Sequence, residues 1–485
     1  MSLTLPPVKL GFIPANRGFF SAQLAVEMRN ATVDAMAAAG LDVVVPDLDQ
    51  TNVGCVESRA EAELVAKMFR DNAVDGIVIG AVNFGDEQAA AWCVRQAKLD
   101  VPILIFGCQE PGPLRTGHDR RDAFCGLLSI GEALRQIGAR YSAATRPICF
   151  PTDASFRSDL DWFAGVCRVV KGVRVARYAQ IGARPEAFWT CRFDEKQLQR
   201  LGPTTVVLDL SEAIAGAEAI DTDDGDLQRT MRDIDAYADT SAVAAASVER
   251  SARFELFLRR FQAEHAIDAF AVQCWTAIQQ QFGVCACTTL SRLGDAGVPA
   301  ACEADILGTL SMHACMLASA QPAALADWNN LHNDDDELVN VWHCGVFPKS
   351  MARAQPRLSV HGILVGSGAA PADRAEGIVE LQMAPSPLTL SRITQDADGS
   401  WKALVAQGDI EDNPATTEGS YGWCRIPGLS HLYRNVLLRH FPHHVAITQT
   451  HAGNTLYEAL GNYLDMPVYH ATQPTPGRYD PALPF

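Results

Sequence analysis

From the N-terminus to about residue 145, short apolar runs alternate with longer stretches of helical spacing. Leu10 to Pro14 and Leu41 to Pro46 are compact hydrophobic segments. Between them, Ala22 to Ala39 places apolar side chains at helical intervals and stops at Gly40, a residue suited to a left-handed C-terminal cap. Arg59 to Asn72 predicts a helix, Val74 to Ala81 a strand, Glu87 to Leu99 a helix and Val101 to Gly107 a strand. Strands alternating with helices of this length predict a parallel sheet covered on both faces.

A second block of the same kind opens near Arg146-Pro147. Ile148 to Phe150, Val173 to Ala176 and Thr204 to Leu210 read as strands. Ser158 to Val170 reads as a helix, Ser211-Glu212 as a helix start, Thr240 to Ala266 as a long helix and Ala269 to Trp275 as a buried strand. Beyond about 355 the period changes. Leu358 to Val365, Gly377 to Ala384, Leu388 to Ile393 and Trp401 to Ile410 are successive strand patterns separated by Gly, Pro, Asp and Asn, which predicts an antiparallel, barrel-like segment. His431 to Asp465 returns to helix–strand–helix. The expected fold is α/β: two doubly wound α/β domains, 1–145 and 146–320, then a C-terminal domain, 321–485, that contains an antiparallel β-barrel.

The length of 485 residues is enough for two to four domains, and 48% hydrophobic with 20% charged residues is the composition of a globular chain. With 40 basic against 57 acidic residues, the formal net charge of −17 argues against a nucleic-acid partner. No apolar run approaches the roughly 20 residues that span a bilayer, so no membrane partner is expected. The opening Met1-Ser2-Leu3-Thr4-Leu5-Pro6-Pro7 lacks the basic and apolar regions of a secretory leader. A cytoplasmic location, with the 14 cysteines as free thiols, follows as an expectation.

The first strand–helix turn, Pro14-Ala15-Asn16-Arg17-Gly18, lacks the G-x-G-x-x-G pattern of a dinucleotide site. Asn16-Arg17-Gly18, Asn83-Phe84-Gly85 and Cys108-Gln109-Glu110 fall at strand ends where open α/β sheets bind ligands. Ten of the 12 histidines follow residue 300, only His118 and His265 preceding it, which draws the polar chemistry to the last third of the chain. There Glu303 and Asp305 interrupt an otherwise small and apolar run, Asp327 follows, His343 ends a strand pattern, and His443-His444 opens another. Charges in such surroundings are paired or bind metal. Two carboxylates with two imidazoles suit a divalent ion of the Mn²⁺ or Co²⁺ type.

Other chemistry is less favoured. Cys285-Ala286-Cys287 has the wrong spacing for a zinc knuckle, and Cys274, Cys285, Cys287, Cys302 and Cys344 read as buried thiols. Asp334-Asp335-Asp336-Glu337 lacks the pattern of a calcium loop and reads as solvated surface, as does the Asp221-Asp223-Asp224 cluster. A non-catalytic sugar-binding or sensor protein with two α/β lobes is the alternative, and the carboxylate–histidine set of the last third speaks against it.

The succession Gln273-Cys274-Trp275, Gly297-Val298-Pro299, Cys302-Glu303-Ala304-Asp305, Asp327, Trp342-His343-Cys344-Gly345 and His443-His444-Val445-Ala446 with His451 resembles the L-fucose isomerase and L-arabinose isomerase superfamily. Pro102 to Phe106 and the segment from Asp119 through Arg120-Arg121-Asp122 to Gly126 are similar to its fucose-isomerase-like branch. The resemblance implies a metal-dependent aldose–ketose isomerase acting on a free sugar through an enediolate. Its metal, Mn²⁺ or another divalent cation such as Co²⁺ or Mg²⁺, sits on Glu303, Asp327 and His444, with His343 as a fourth ligand and no organic cofactor. Glu303 and Asp327 serve also as acid and base. Gln273, Trp275, Trp423 and a neighbouring subunit's loop around Arg17 are implied to bind the sugar, with His451 supporting that region. The resemblance further implies a homo-oligomer, a trimer or hexamer.

Overall fold

The computed structural model describes residues 3, 5, 7–114 and 120–471. Asp119 and His118, and Met1, Ser2, Thr4 and Pro6 of the opening segment, lie outside the described residues. The chain divides into two compact units, one built on Leu5–Lys171 with Asn462–Asp465, the other on Gly172–Gly461.

The first unit runs β1 (Lys9–Ala15), α1 (Ala22–Ala38), β2 (Asp42–Val44), α2 (Arg59–Asp71), β3 (Gly76–Ala81), α3 (Glu87–Ala97), β4 (Ile103–Cys108), α4 (Ala123–Gln136) and β5 (Ser142–Cys149). All its strand pairs are parallel, in the order β2-β1-β3-β4-β5. Every residue of β3 and β4 is buried, as two helix-covered faces require. Side chains at the helix starts do the capping: Ser58 and Glu61 form a reciprocal capping box on α2, and Asp86 accepts from the Ala89 N–H of α3. Two of the expected ligand-facing loops are stitched to each other. The buried Asn83 donates to Asn16 Oδ1 at 2.6 Å and accepts from the Arg17 and Gly85 main-chain N–H groups.

Two stretches differ from their sequence patterns here. Residues 146–149 belong to β5, which pairs with β4, so they complete the first sheet and do not open a new one. Val173 to Ala176 is not a strand, because α5 (Ala154–Val175) continues through Val175. Phe163, Val166, Val170 and Val173 are buried at helical intervals, and that one-sided burial overrides the β-branched composition.

The second unit adds β6 (Arg177–Ile181), α6 (Glu195–Leu201), β7 (Thr204–Leu208), α7 (Leu210–Glu218), α8 (Gly225–Tyr237), α9 (Ala245–His265), β8 (Ala269–Val272), α10 (Ala277–Gln281), α11 (Cys287–Asp295), β9 (Ala300–Ala301) and α12 (Ile306–Ser319). Its parallel sheet has the order β7-β6-β8-β9.

There follow β10 (Ala323–Leu331), β11 (Leu338–His343), β12 (Arg357–Val360), α13 (Gly362–Gly366), β13 (Glu376–Gln382), β14 (Ser386–Gln395), β15 (Trp401–Glu411), β16 (Ser420–Arg425), α14 (Leu429–Leu438), β17 (His444–Thr448), α15 (Gly453–Glu458) and β18 (Val468–Tyr469). These strands form one large sheet in the order β12-β13-β16-β11-β10-β17-β14-β15-β18, with β15 pairing also with β16. The sheet is mixed, because β13 runs parallel to β16 and β15 to β18. The expected strand from 358 to 365 is cut short. His361 accepts from the Leu364 N–H and starts α13 in its place. No helix among the described residues is long and apolar enough to cross a membrane.

Gly126 of α4 meets the loop after β3 so closely that an added Cβ would lie 1.3 Å from the Phe84 carbonyl oxygen. That oxygen is backbone and cannot rotate away. Gly126→Ala should therefore destabilise the first unit by about 3 kcal/mol, near the upper end of overpacking costs, read as a lowered urea midpoint. An unchanged midpoint would show that α4 does not pack against this loop as described.

Candidate active site

In the second unit a compact polar cluster forms where short turns and strand ends meet. Glu303 lies in the turn between β9 and α12, Asp327 on β10, His343 at the end of β11 and His444 at the start of β17. Sheet register does part of the positioning. Asp327 and His444 are direct partners across the antiparallel β10–β17 pair, so their side chains share one face.

Glu303 is brought in by strained backbone. Glu303 and Ala304 have φ of 55° and 52°, a left-handed conformation that costs non-glycine residues of order 1–3 kcal/mol each. The surroundings hold it: Ala304 N–H donates to Val272 O at 3.0 Å, and Asp305 N–H to Cys302 O at 3.0 Å. One carboxylate oxygen of Glu303, Oε1, accepts from Trp275 Nε1 at 3.1 Å and from the Cys274 thiol at 3.5 Å.

The other oxygen, Oε2, faces His343 Nε2 at 3.7 Å and His444 Nε2 at 3.6 Å. Asp327 Oδ1 lies 3.7 Å from His444 Nε2 and 3.8 Å from His443 Nε2. These separations exceed hydrogen-bonding distance, and Glu303 Oε2 and Asp327 Oδ1 are buried atoms with no hydrogen-bond partner. Buried polar atoms are normally satisfied, so orphans converging on one point need a reason. A divalent cation held by carboxylate and imidazole supplies one. Two of the groups of side chains able to hold an ion fall here: Glu303 with His343 and His444, and Asp327 with His443 and His444.

The proton positions on the ring of His444 are set from behind. Asp305 is wholly buried and accepts from His444 Nδ1 at 2.8 Å. Arg392 of β14, also wholly buried, clamps Asp305 with two bonds of 2.7 and 3.1 Å. Asp305 also caps α12 by accepting from the Gly308 N–H at 2.8 Å. The carboxylate thus remains an acceptor, Nδ1 carries the ring proton, and Nε2 keeps its lone pair toward Glu303 and Asp327. This is how carboxylates orient metal-ligating histidines.

Burial works against ionisation of Glu303, but the imidazoles of His343 and His444 and the Trp275 N–H outweigh it and hold its pKa down at about 2. Burial likewise opposes charge on Asp305, yet Arg392 and His444 depress its pKa strongly. His343 is opposed by burial as well, while the Cys344 side chain and the carboxylates of Glu303 and Asp327 raise it above the ordinary histidine value.

Trp275 is part of the cluster through its bond to Glu303. Gln273, at the adjoining strand end, accepts from the Ala183 N–H at 2.9 Å and so anchors the loop after β6. That loop carries Phe188, whose ring meets those of Trp275, His443 and His444 at 5.3, 5.7 and 6.4 Å. The other implied sugar-binding residues hold different partners. Trp423 Nε1 donates to Ala415 O, and its ring packs edge-on to His332. His451 lies beside Gly408 O and Asp409 of β15. Arg17, in the first unit, pairs with Glu87, donates to Gly85 O and lies over the Phe84 ring.

All 14 cysteines are free. Cys274 and Cys302 approach Glu303 closely enough to be ligands themselves. Burial raises the Cys274 thiol, and its hydrogen bond with Cys302 together with burial raises Cys302 well above the usual value. Both therefore stay protonated at neutral pH and make poor ligands. Asp335 of the acidic run is a surface ion-pair partner of Arg425 at 2.8 Å.

Arg392, Phe188 and Cys191, whose thiol lies 4.0 Å from His444 Nδ1, escape the sequence patterns. Arg392 alone leaves a signal, as a charge inside the strand Leu388-Thr389-Leu390-Ser391-Arg392-Ile393.

Two family models match this chain. Residues 11–174 match the fucose/sulfoquinovose isomerase N-terminal domain, and residues 341–471 match the L-fucose isomerase C-terminal domain. A sulfoquinovose isomerase of Alkalicoccus urumqiensis is 26% identical over 81% of this chain and 85% of its own length. One from Priestia aryabhattai is 22% identical over 83% and 85%. Among solved structures, a periplasmic solute-binding protein from Actinobacillus succinogenes with bound D-allose aligns with 66% of this chain and 85% of its own. Its TM-score of 0.17 and 9% identity carry no weight.

Two outcomes test the buried network. Arg392→Met strands the Asp305 charge and should cost about 3–5 kcal/mol in chemical unfolding; a loss below about 1 kcal/mol contradicts the clamp. Glu303 has a lower pKa folded than unfolded, so its stabilisation is complete above the ordinary carboxyl range and is withdrawn as pH falls below about 4.5 toward 2. Unfolding of metal-free protein between about pH 6 and 3 should show that loss, and Glu303→Gln should make it smaller, with Asp305 still contributing.

Proposed function

We propose the following chemistry for a chain that belongs to the L-fucose isomerase-like family and is a sugar isomerase. It interconverts an aldose and its ketose through an enediolate, with a divalent cation such as Mn²⁺ held by Glu303, Asp327 and His444. The observation that carries this is the convergence of buried, unpartnered carboxylate oxygens on His444 Nε2, whose other nitrogen is fixed by Asp305.

The reaction moves one proton between C1 and C2 and another between O1 and O2. The C–H is weakly acidic, so negative charge on the sugar oxygens must be stabilised as it develops. When bound, a divalent ion supplies that stabilisation as a Lewis acid. Glu303 and Asp327 supply the acid and base. Each presents one oxygen free of protein partners, and Glu303 is ionised throughout the neutral range. Trp275 fixes the other Glu303 oxygen and so aims the free one. Phe188 and the indole of Trp275 form an apolar wall that strengthens electrostatic interactions by excluding water.

The curated relatives bear the name sulfoquinovose isomerase, and we assign the same substrate class here, a sulfonated aldose. We also read the cycle of antiparallel pairs β16-β11-β10-β17-β14-β15, returned to its start by the β15–β16 pairing, as the small barrel expected in the C-terminal domain.

Stripping the purified protein with EDTA should abolish isomerisation of sulfoquinovose, and Mn²⁺ should restore it. Glu303→Gln and Asp327→Asn should each lower kcat by about 10³-fold, within the range for removing a positioned acid or base. Sulfoquinovose should be turned over at higher kcat/KM than L-fucose or L-arabinose. Full activity in EDTA, or in either variant, contradicts the assignment.

A further inference from the structure

The two buried histidines of the cluster are prepared for different tasks. His444 Nδ1 faces an ionised carboxylate and therefore donates, which leaves its Nε2 lone pair free. His343 is the reverse. Its Nδ1 accepts the main-chain N–H of Cys344 at 2.9 Å, and an amide N–H can only donate. Nδ1 then has no room for a proton in the neutral ring, which places the proton on Nε2. A cationic ring carries one there too, so in either charge state Nε2 is a donor with no lone pair to offer.

That N–H is 2% exposed with its residue, has no hydrogen-bond acceptor, and points toward Glu303 Oε2 across 3.7 Å. An orphaned buried donor beside the proposed acid–base pair is the arrangement that stabilises negative charge as it develops on an oxygen. We infer that His343 is not a metal ligand but a catalytic hydrogen-bond donor, whose Nε2–H binds a sugar oxygen that gains charge during proton transfer. This rests on the metal-dependent isomerase reading above and removes His343 from the ligand set that the family resemblance implies.

The test counts imidazoles. Electron spin-echo envelope modulation of the Mn²⁺-loaded enzyme should show one directly coordinated imidazole nitrogen. It should persist in His343→Gln, where Mn²⁺ stays bound at wild-type stoichiometry, and vanish in His444→Gln. In steady-state assays with sulfoquinovose, His343→Ala should lower kcat about a hundredfold with KM changed only a few-fold, the pattern of an interaction made mainly in the transition state. His343→Gln, whose amide restores an N–H near the same place, should recover part of that loss. Two coordinated imidazoles in the wild type, or loss of Mn²⁺ from His343→Gln, overturns the inference while leaving metal dependence intact. The wild-type count needs no variant to fold. A wild-type enzyme that binds no Mn²⁺ overturns the metal reading, and this inference with it.

Discussion

The buried ion pair between Asp305 and Arg392 is the interaction on which the site depends. Two charges without solvent exposure are expensive unless good geometry and further hydrogen bonds compensate. Here Asp305 spends one oxygen on Arg392 and the Gly308 N–H, and the other on Arg392 and His444. A single carboxylate thereby joins α12, β14 and β17. These elements are far apart in sequence, and their junction fixes both the start of the helix and the tautomer of the ring that faces Glu303 and Asp327.

The same turn carries the strain. Glu303 and Ala304 adopt left-handed backbone immediately before Asp305. The conformation persists because the flanking N–H groups are tied to Val272 and Cys302. Strain at Glu303 and a buried charge at Asp305, two residues apart, are both costs that folding must offset elsewhere. Their coincidence with unpartnered carboxylate oxygens is what distinguishes a site from an ordinary polar core.

Much of this was legible in the chain. The alternation of β3, α3 and β4 follows from strands buried on both faces, and the histidine-rich last third does hold the polar cluster. Glu303, Asp327, His343 and His444 stood out as polar residues in apolar surroundings, and the fold brings all four together. What escaped detection depends on long-range packing. Arg392 has no local motif; its meaning comes only from Asp305, which lies on a different element. The strand pattern at Val173 failed because burial along one face of α5 outweighs β-branched propensity. Trp423 and His451 were assigned from the resemblance; in the fold the Trp423 ring packs against His332 and His451 Nε2 lies beside Gly408 O.

We propose that Glu303, Asp327 and His444 form one cation site, with the His444 ring held by Asp305. Anomalous X-ray scattering from crystals of the Mn²⁺-loaded protein is the decisive measurement. A single strong manganese peak is expected within bonding distance of Glu303, Asp327 and His444 Nε2, with Asp305 still bonded to Nδ1 of the same ring. A peak at another group of residues, or none at this one in crystals soaked at saturating Mn²⁺, contradicts it.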